Sequence, residues 1–454
     1  MDKEEYTGYW WLPTNPDERR PGKLTIDDTR PPVLTLEGSF EETAGPELPN
    51  YEVIHGEAGG FDLTLVDATE LDMAFRSPRR QTLVARHMLS GGHLAADTPF
   101  DELVVEMDQF AEWVAINLME YEEKPGAGGA IESAQVRFRE APALFSTLDD
   151  GTRFELAFFP TREISRESVT LSQSVALRIL PPKAGLTLNR LEDRLVGIVD
   201  LVTFLAGRAT KVTEAILLTP RLTYRDHKGT VRRAHIKWLR EWDRTPGGEA
   251  PRPTGAVFRL AEAADRWPEI IRRWFAIRKK VGYPLDLLAA LAYAPPYHAD
   301  LRLLLAIQAC EGYHQKTFPS RRHETKPVFE TRRARMMKSL SGEDQAWLGE
   351  RINNHPWLID CLSDLAKKTS EPLVELHAIF PGWAEQAKNE RNRMSHGDSA
   401  STLSGEEMLK LTDCTLIILS ACLVLDMGLS TVECRRVFVN HSRYVRLVGH
   451  RKTP

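Results

Sequence analysis

The sequence predicts a multidomain chain, with a strand-rich, mixed α+β N-terminal region followed by an all-α helical bundle. Three observations predict it. Short runs of alternating apolar and polar residues, separated by turn residues, dominate the first half. Apolar residues three or four apart dominate the second. Between them lies Pro295-Pro296, and consecutive prolines resist helix continuation. That pair divides the chain into residues 1–297, with room for two subdomains, and residues 298–454.

The N-terminal elements follow in order. Gly8-Tyr9-Trp10-Trp11-Leu12-Pro13 is an aromatic cluster ending in a turn. Core packing is its simplest role and base stacking the alternative, because adjacent residues of a regular strand point to opposite faces. Lys23–Ile26, Val33–Leu36, Phe61–Val66 and Leu103–Met107 read as strands, as do Arg153–Phe159, expected to stop at Pro160, and Ser174–Leu180. Leu191, Leu195, Ile198, Val202 and Leu205 mark a helix. Strands return at Ala215–Thr219 and His235–Leu239, and residues 245–255 read as a Pro/Gly-rich loop. Helices follow at Ala261–Lys280, with Ile270, Trp274, Ile277 and Val281 on one side, and at Leu285–Tyr293.

The second half opens with a helix over His298–Thr317. Leu301, Leu304, Leu305, Ala309 and Cys310 form its expected apolar stripe, and Gln308, Glu311 and Gln315 share another face. Residues 318–340 form a basic connection carrying Arg321, Arg322, His323, Lys326, Arg332, Arg333, Arg335 and Lys338. Ser341-Gly342-Glu343-Asp344 starts a further helix, with Trp347, Ile352 and Trp357 expected to face inward. Helical segments continue at 358–368, 371–396 and 404–428.

Composition limits the function classes. Hydrophobic residues make up 42% and charged residues 27% of 454 residues, which excludes a disordered chain and a membrane channel. The formal charge is −5, unevenly spread: residues 298–454 carry 22 basic and 19 acidic side chains, leaving 37 and 45 for residues 1–297. A local basic surface in the C-terminal part is compatible with the acidic total. Five cysteines without a CxxC pair point to a reducing compartment. An acidic opening with no apolar stretch after it argues against a signal peptide, and Leu416–Leu425 is too short to span a bilayer. The expectation is a cytoplasmic protein with no membrane partner.

The common catalytic signatures are absent: no phosphate loop ending GK[ST], no GxGxxG, no HExxH and no GxSxG. Cys310 and His314 have a chelating i,i+4 spacing, but two ligands do not make a site, so no metal and no cofactor is expected.

One constellation carries chemistry: Glu390-Arg391-Asn392-Arg393-Met394-Ser395-His396-Gly397 at the end of a helical segment. Asn392 and His396, four apart, share a helix face, and Arg391 lies about 140° around the helix from His396. Metal-free RNA cleavage needs such groups: an imidazole that titrates near neutrality as general base or acid, a planar cation for the phosphorane, and an amide for orientation. Asn392 orients His396 or caps the helix end, and Arg393 adds charge. Taken alone, the same residues also describe a charged helix end at which histidine is favoured by the macrodipole. The basic residues Arg321, Arg322, Lys326, Arg332, Arg333 and Arg335 suit a phosphate backbone, with a solvated surface as the alternative.

Glu390–Gly397 resembles the R-N-x-x-x-H motif of the HEPN superfamily, helical bundles found as metal-independent ribonucleases in bacterial defence, and Arg391, Asn392 and His396 fit it without departure. The opening Gly8–Pro13, Gly22-Lys23-Leu24-Thr25-Ile26 and Leu34-Thr35-Leu36-Glu37-Gly38 resemble the ApeA family of phage-defence proteins, in which a larger N-terminal domain precedes an HEPN domain. The resemblance implies an abortive-infection effector that cleaves RNA, in particular the anticodon loop of tRNA, leaving 2′,3′-cyclic phosphate and 5′-hydroxyl ends. It also implies a homodimer or higher homo-oligomer through the HEPN domain, with two motif helices forming one composite site. A polar residue on the first bundle helix often approaches the catalytic helix in such bundles. Glu311 is the candidate to orient His396 or Arg391, and His314 the candidate to touch the same cleft. Residues 1–297 are expected to sense a trigger, such as a phage-derived protein, or to hold the dimer inactive. The alternative is a non-catalytic RNA-binding or protein-interaction module with a degenerate HEPN bundle.

Overall fold

Period-two alternation does the most to shape the first part of the chain. The computed structural model describes residues 3–27, 30–40, 49–74, 80–125, 131–240, 257–293, 298–396, 401 and 403–449, with nothing described of the His396 side chain. It divides into two compact units, one of Met1–Val202, Thr210–Arg252 and Arg259–Arg272, the other of Thr203–Ala209, Pro253–Phe258 and Arg273–Pro454. The second unit therefore takes in residues 273–293, ahead of the division placed at 297/298. Pro295-Pro296 and the loop expected at 245–255 lie outside the described residues.

The first unit begins with a barrel. Strands β1 (Glu4–Trp11), β2 (Arg20–Asp27), β3 (Arg30–Glu37), β4 (Asn50–Ala58), β5 (Phe61–Ala74) and β6 (Arg80–Ser90) pair antiparallel in the order β6-β3-β2-β1-β4-β5, and β5 pairs back onto β6. Closure satisfies both edges of the ribbon. Trp10, Leu24, Leu34, Leu36, Ile54, Leu65 and Leu83 fill the interior. Trp10 fits because position 56 is glycine: a Cβ there would lie 2.3 Å from the indole. Asp67 takes a left-handed φ of 53°, and the register of β5 against β6 shifts only farther on, between Glu70 and Asp72; Leu63, Leu65, Ala68 and Glu70 are all buried. Both tryptophans pack. Trp11, on the face opposite Trp10, is 4% exposed, edge-on to His93 at 5.0 Å and under the Arg19 guanidinium at 4.2 Å. Neither is placed for base stacking.

The rest of the unit extends this sheet. It comprises β7 (Glu102–Met107), a short α1 (Phe110–Val114), the separate hairpin β8 (Met119–Pro125) and β9 (Ile131–Phe138), β10 (Phe145–Thr147), β11 (Arg153–Ile164), β12 (Val169–Leu180), α2 (Leu188–Ala206), β13 (Val212–Leu218), a small hairpin β14 (Thr223–Arg225) and β15 (Val231–Arg233), and β16 (Ile236–Arg240). From β6 the sheet continues through β16, β13, β7, β12 and β11 to β10. β11 does not stop at Pro160. The strand continues to Ile164, with Pro160 opposite Gln173, because β10 covers only Arg153–Glu155 and the outer edge beyond can accept a residue without N–H. The expected α2 stripe, Leu191, Leu195, Ile198, Val202 and Leu205, is buried throughout.

The second unit is helical. It is built from the later half of α3 (Trp267–Val281), α4 (Tyr283–Tyr293), α5 (Ala299–Thr317), α6 (Lys326–Lys338), α7 (Gly342–Arg351), α8 (Leu358–Lys368), α9 (Val374–Ile379), α10 (Trp383–His396), α11 (Gly405–Asp426), α12 (Thr431–Val439) and α13 (Ser442–Val448). A capping box of Ser404 and Glu407 starts α11. By length and composition α11 could cross a membrane, yet 72% of its apolar window is buried, and α5, α8 and α10 pack on it. It is the core helix of the bundle.

Three expectations need correction. The buried face of α5 is Leu303, Ala306, Ile307, Ala309, Cys310, Tyr313 and His314; Ala309 and Cys310 of the expected stripe lie on it, Leu304 and Leu305 are half-buried, and Leu301 is 51% exposed. Only the leucine end of the expected stripe was out of phase, because Leu303, Ala306, Tyr313 and His314 complete the true one. The segment 371–396 is two helices, since Pro381 lacks an N–H and Pro381-Gly382 separates α9 from α10. Trp347 and Trp357 are exposed, for α7 buries no residue and Trp357 stacks on His323 at 3.8 Å.

Candidate active site

The register of α10 is set by its packed face. Trp383, Ala387 and Glu390, at i, i+4 and i+7, are buried, and the Trp383 indole donates to Thr415 Oγ1 on α11 at 2.9 Å. Glu390 sits at the end of this face and accepts from Arg393 Nε at 2.8 Å and from Ser401 Oγ at 2.9 Å. With those contacts fixed, Arg391 falls on the flank of the packed face. Asn392 falls about 180° from Trp383, turned from the bundle core. Position 396, the last of the helix, shares the Asn392 face by register.

Across from this helix end, α5 presents Glu311, with its Oε2 3.7 Å from Arg391 Nη2. Arg391 Nη1 also reaches Asn392 Oδ1 at 3.5 Å. The guanidinium is therefore held between a carboxylate and an amide while its side chain stays 36% exposed. A partly solvated pair of this kind is worth under about 1 kcal/mol, so it orients more than it stabilises. An accessible guanidinium with only loose partners suits an incoming phosphate.

The remaining sequence-derived residues are distributed unevenly. His314 is not brought to this side. It is fully buried, hydrogen-bonded through Nε2 to Asp364 at 2.9 Å and stacked on Phe318 at 4.6 Å. One turn of α5 carries it away from Glu311, because the helix buries the 310/313/314 face. Arg393 is paired with Glu390 and is 19% exposed, so its charge is partly neutralised. Arg321 donates to Asp364 at 2.8 Å, and Arg332 pairs with Glu324 at 2.7 Å, so both are partly neutralised. Arg322, Lys326 and Arg335 are exposed, Arg333 is half-buried, and α6 as a whole buries no residue. Cys310 is packed, its thiol pushed up by burial.

Two organising positions on α8 went unread in the sequence. Asp360 and Asp364 on α8 organise the basic connection: Asp360 accepts from His323 Nδ1 at 2.7 Å, and Asp364 holds both His314 and Arg321. Burial works against the Asp364 anion, but the His314 and Arg321 hydrogen bonds outweigh it, and its carboxyl sits below the usual range. Their i,i+4 spacing was the available signal. Glu390, beside Arg391 in sequence, offered none.

Family comparisons agree with this layout. The family described as ApeA N-terminal domain 1 matches residues 5–274, and that described as Apea-like HEPN matches residues 304–433, which include Glu311, Arg391, Asn392 and His396. No curated protein and no solved structure matches the chain. The first match alone covers more than half of the 454 residues, and the chain belongs to the ApeA family, with an HEPN domain in its helical part.

Proposed function

We propose that the protein is a metal-independent endoribonuclease of an abortive-infection antiphage system, cutting tRNA in the anticodon loop. The family matches support the coarser statement, a HEPN nuclease of phage defence. The observation that carries the finer one is the end of α10, where an accessible Arg391 is held between Glu311 and Asn392.

In this reading His396 takes the proton from a ribose 2′-hydroxyl, and the 2′-oxygen attacks the adjacent phosphorus. Arg391 stabilises the charge of the phosphorane, and Asn392 orients the imidazole or the phosphate. The P–O5′ bond breaks, the leaving oxygen takes a proton, and the products carry a 2′,3′-cyclic phosphate and a 5′-hydroxyl. One chain offers a single imidazole for two proton transfers. A second copy, its motif helix opposed across a twofold axis, supplies the other. The Asn392 face, turned from the bundle core, supports such pairing. Arg322, Lys326 and Arg335 on the exposed basic connection draw in the RNA backbone. Residues 1–297 sense a phage-derived trigger and restrain the dimer, in the cytoplasm.

The test is product chemistry. Protein from infected cells, incubated with total tRNA in EDTA, should yield 2′,3′-cyclic-phosphate ends, and His396→Ala should yield none while binding tRNA equally. RNA binding without new ends, identical in His396→Ala, would instead identify a binding module. Loss of cutting in EDTA would reassign the chemistry to a metal.

A further inference from the structure

The helical unit contains a second concave site of different character. A cavity of about 840 Å³ lies among the later half of α3, the end of α5, α8 and the end of α11. Five cations line it: Arg273, Lys280, Arg321, Lys367 and Lys368. Only two acids do, Asp364 and Asp426, and both are engaged within the protein. Asp364 holds Arg321 and His314, and Asp426 holds Lys368 and Tyr313. Those contacts cancel two of the cations. Among the described residues no carboxylate lies within ion-pair distance of Lys280 or Lys367, and both are exposed.

Apart from Thr317, the rest of the lining is apolar. Ile277 and Val281 on α3 face the same space as Phe318, whose ring is backed by His314 at 4.6 Å with an interplanar angle of 10°. Surplus ammonium charge beside a flat, supported ring matches a ligand with phosphate at one end and a planar group at the other. The volume falls in the range of small-molecule sites and holds a whole mononucleotide. An extended strand would call for an open track of cations rather than one pocket.

We propose that this cavity binds a small phosphorylated ligand of the nucleotide class, with its phosphates met by Lys280 and Lys367 and its ring by Phe318 and Ile277. The site has a route to the motif helix. Asp364, in its wall, holds His314, three residues from Glu311 on α5, and Glu311 faces Arg391. A ligand phosphate on Lys367 that also reaches Arg321, in the same wall, competes with Asp364 for it, alters the Asp364–His314 contact and so the placement of Glu311. This link rests on the ribonuclease reading, whereas the binding itself does not.

Isothermal titration of the full chain in EDTA with ATP, inorganic phosphate, adenosine and a short single-stranded RNA tests it. ATP should bind once per chain, with phosphate and adenosine each about tenfold weaker or more. Lys280→Ala/Lys367→Ala, which alters only exposed side chains, should weaken ATP by at least about tenfold without moving the melting temperature. No binding of ATP at millimolar concentration, or ATP binding equal in the double variant, would overturn the proposal. So would RNA binding tighter than ATP and lost in the same variant, which would make the cavity part of a strand path. A cleavage rate indifferent to saturating ATP would remove the link to Glu311 and leave the binding site standing.

Discussion

In the strand unit, charged groups near the sheet meet opposite charges, on the adjacent strands β7 and β11 for Arg178 and across from the separate hairpin β14–β15 for Arg233. Arg178 on β12 bridges Glu102 at 2.7 Å and Glu155 at 3.1 Å, and Arg233 bridges Asp101 at 2.9 Å and the same Glu102 at 2.8 Å. In the helical unit, Arg391 has only a loose carboxylate contact at 3.7 Å, and Lys280 and Lys367 have none among the described residues. Bridging residues on adjacent strands reinforce register and are poor ligands, because a competing anion must first displace a carboxylate. Loosely held cations at helix ends add little stability and remain open to phosphate. The helical unit has tight pairs of its own, such as Arg321–Asp364 at 2.8 Å and Arg393–Glu390 at 2.8 Å, so the contrast separates these particular cations and not whole units.

The largest effect that would sharpen this contrast is on the barrel. Trp10→Ala removes a fully buried indole from a closed interior and should cost about 3–5 kcal/mol. Calorimetry should show the strand transition falling while helical circular dichroism persists to a higher temperature. An unshifted first transition would break the assignment of Trp10 as the barrel's core.

Acid comes next, and it should act on both units. His87 in the strand unit is pushed down to about 3 by burial and by Arg86 and Arg240. His441 in the helical unit is pushed down to about 4 by burial and by Arg443 and Arg446. Their folded values lie below the ordinary 6.5, so the unfolded chain takes up the protons more readily. The associated stability is complete above pH 6.5 and declines as the pH falls, by on the order of 3 kcal/mol per histidine at pH 4. Melting temperatures for both units that stay level from pH 7 to pH 4 would contradict the sealed, neutral imidazoles.

A smaller effect tests the orienting role of Glu311. Glu311→Gln should lower kcat for RNA cleavage about tenfold with little change in KM, and Glu311→Asp should recover part of the loss. Stability should change by under about 1 kcal/mol. A change in KM alone would mean that Glu311 shapes RNA binding rather than the placement of Arg391.

Much of the fold was legible wherever one local pattern decided it. The α2 stripe and the α3 residues Ile270, Trp274, Ile277 and Val281 are buried as their spacing implied. Lys23–Ile26 and Val33–Leu36 are strands of the barrel. What local pattern could not supply was closure. The return of β5 to β6 depends on pairings such as Leu63 with Ser90 and on the absence of a side chain at Gly56, and neither leaves a periodic trace. Leu301 misled because a leucine stripe was legible where the buried face also needed Tyr313 and His314. In the candidate site, spacing put Arg391 and Asn392 together on α10, and the likeness to HEPN bundles drew attention to Glu311. His314 and Arg321 were unreadable because their partner, Asp364, lies more than forty residues away on another helix.

The central claim is that the end of α10 performs chemistry and not merely packing. Single-turnover cleavage of labelled tRNA in EDTA, measured beside thermal melting on the same samples of wild type, Arg391→Ala and His396→Ala, tests it most directly. The account expects each variant to lose cyclic-phosphate product by about a thousandfold while melting within about 0.5 kcal/mol of wild type. Cleavage at the wild-type rate by either folded variant would contradict it.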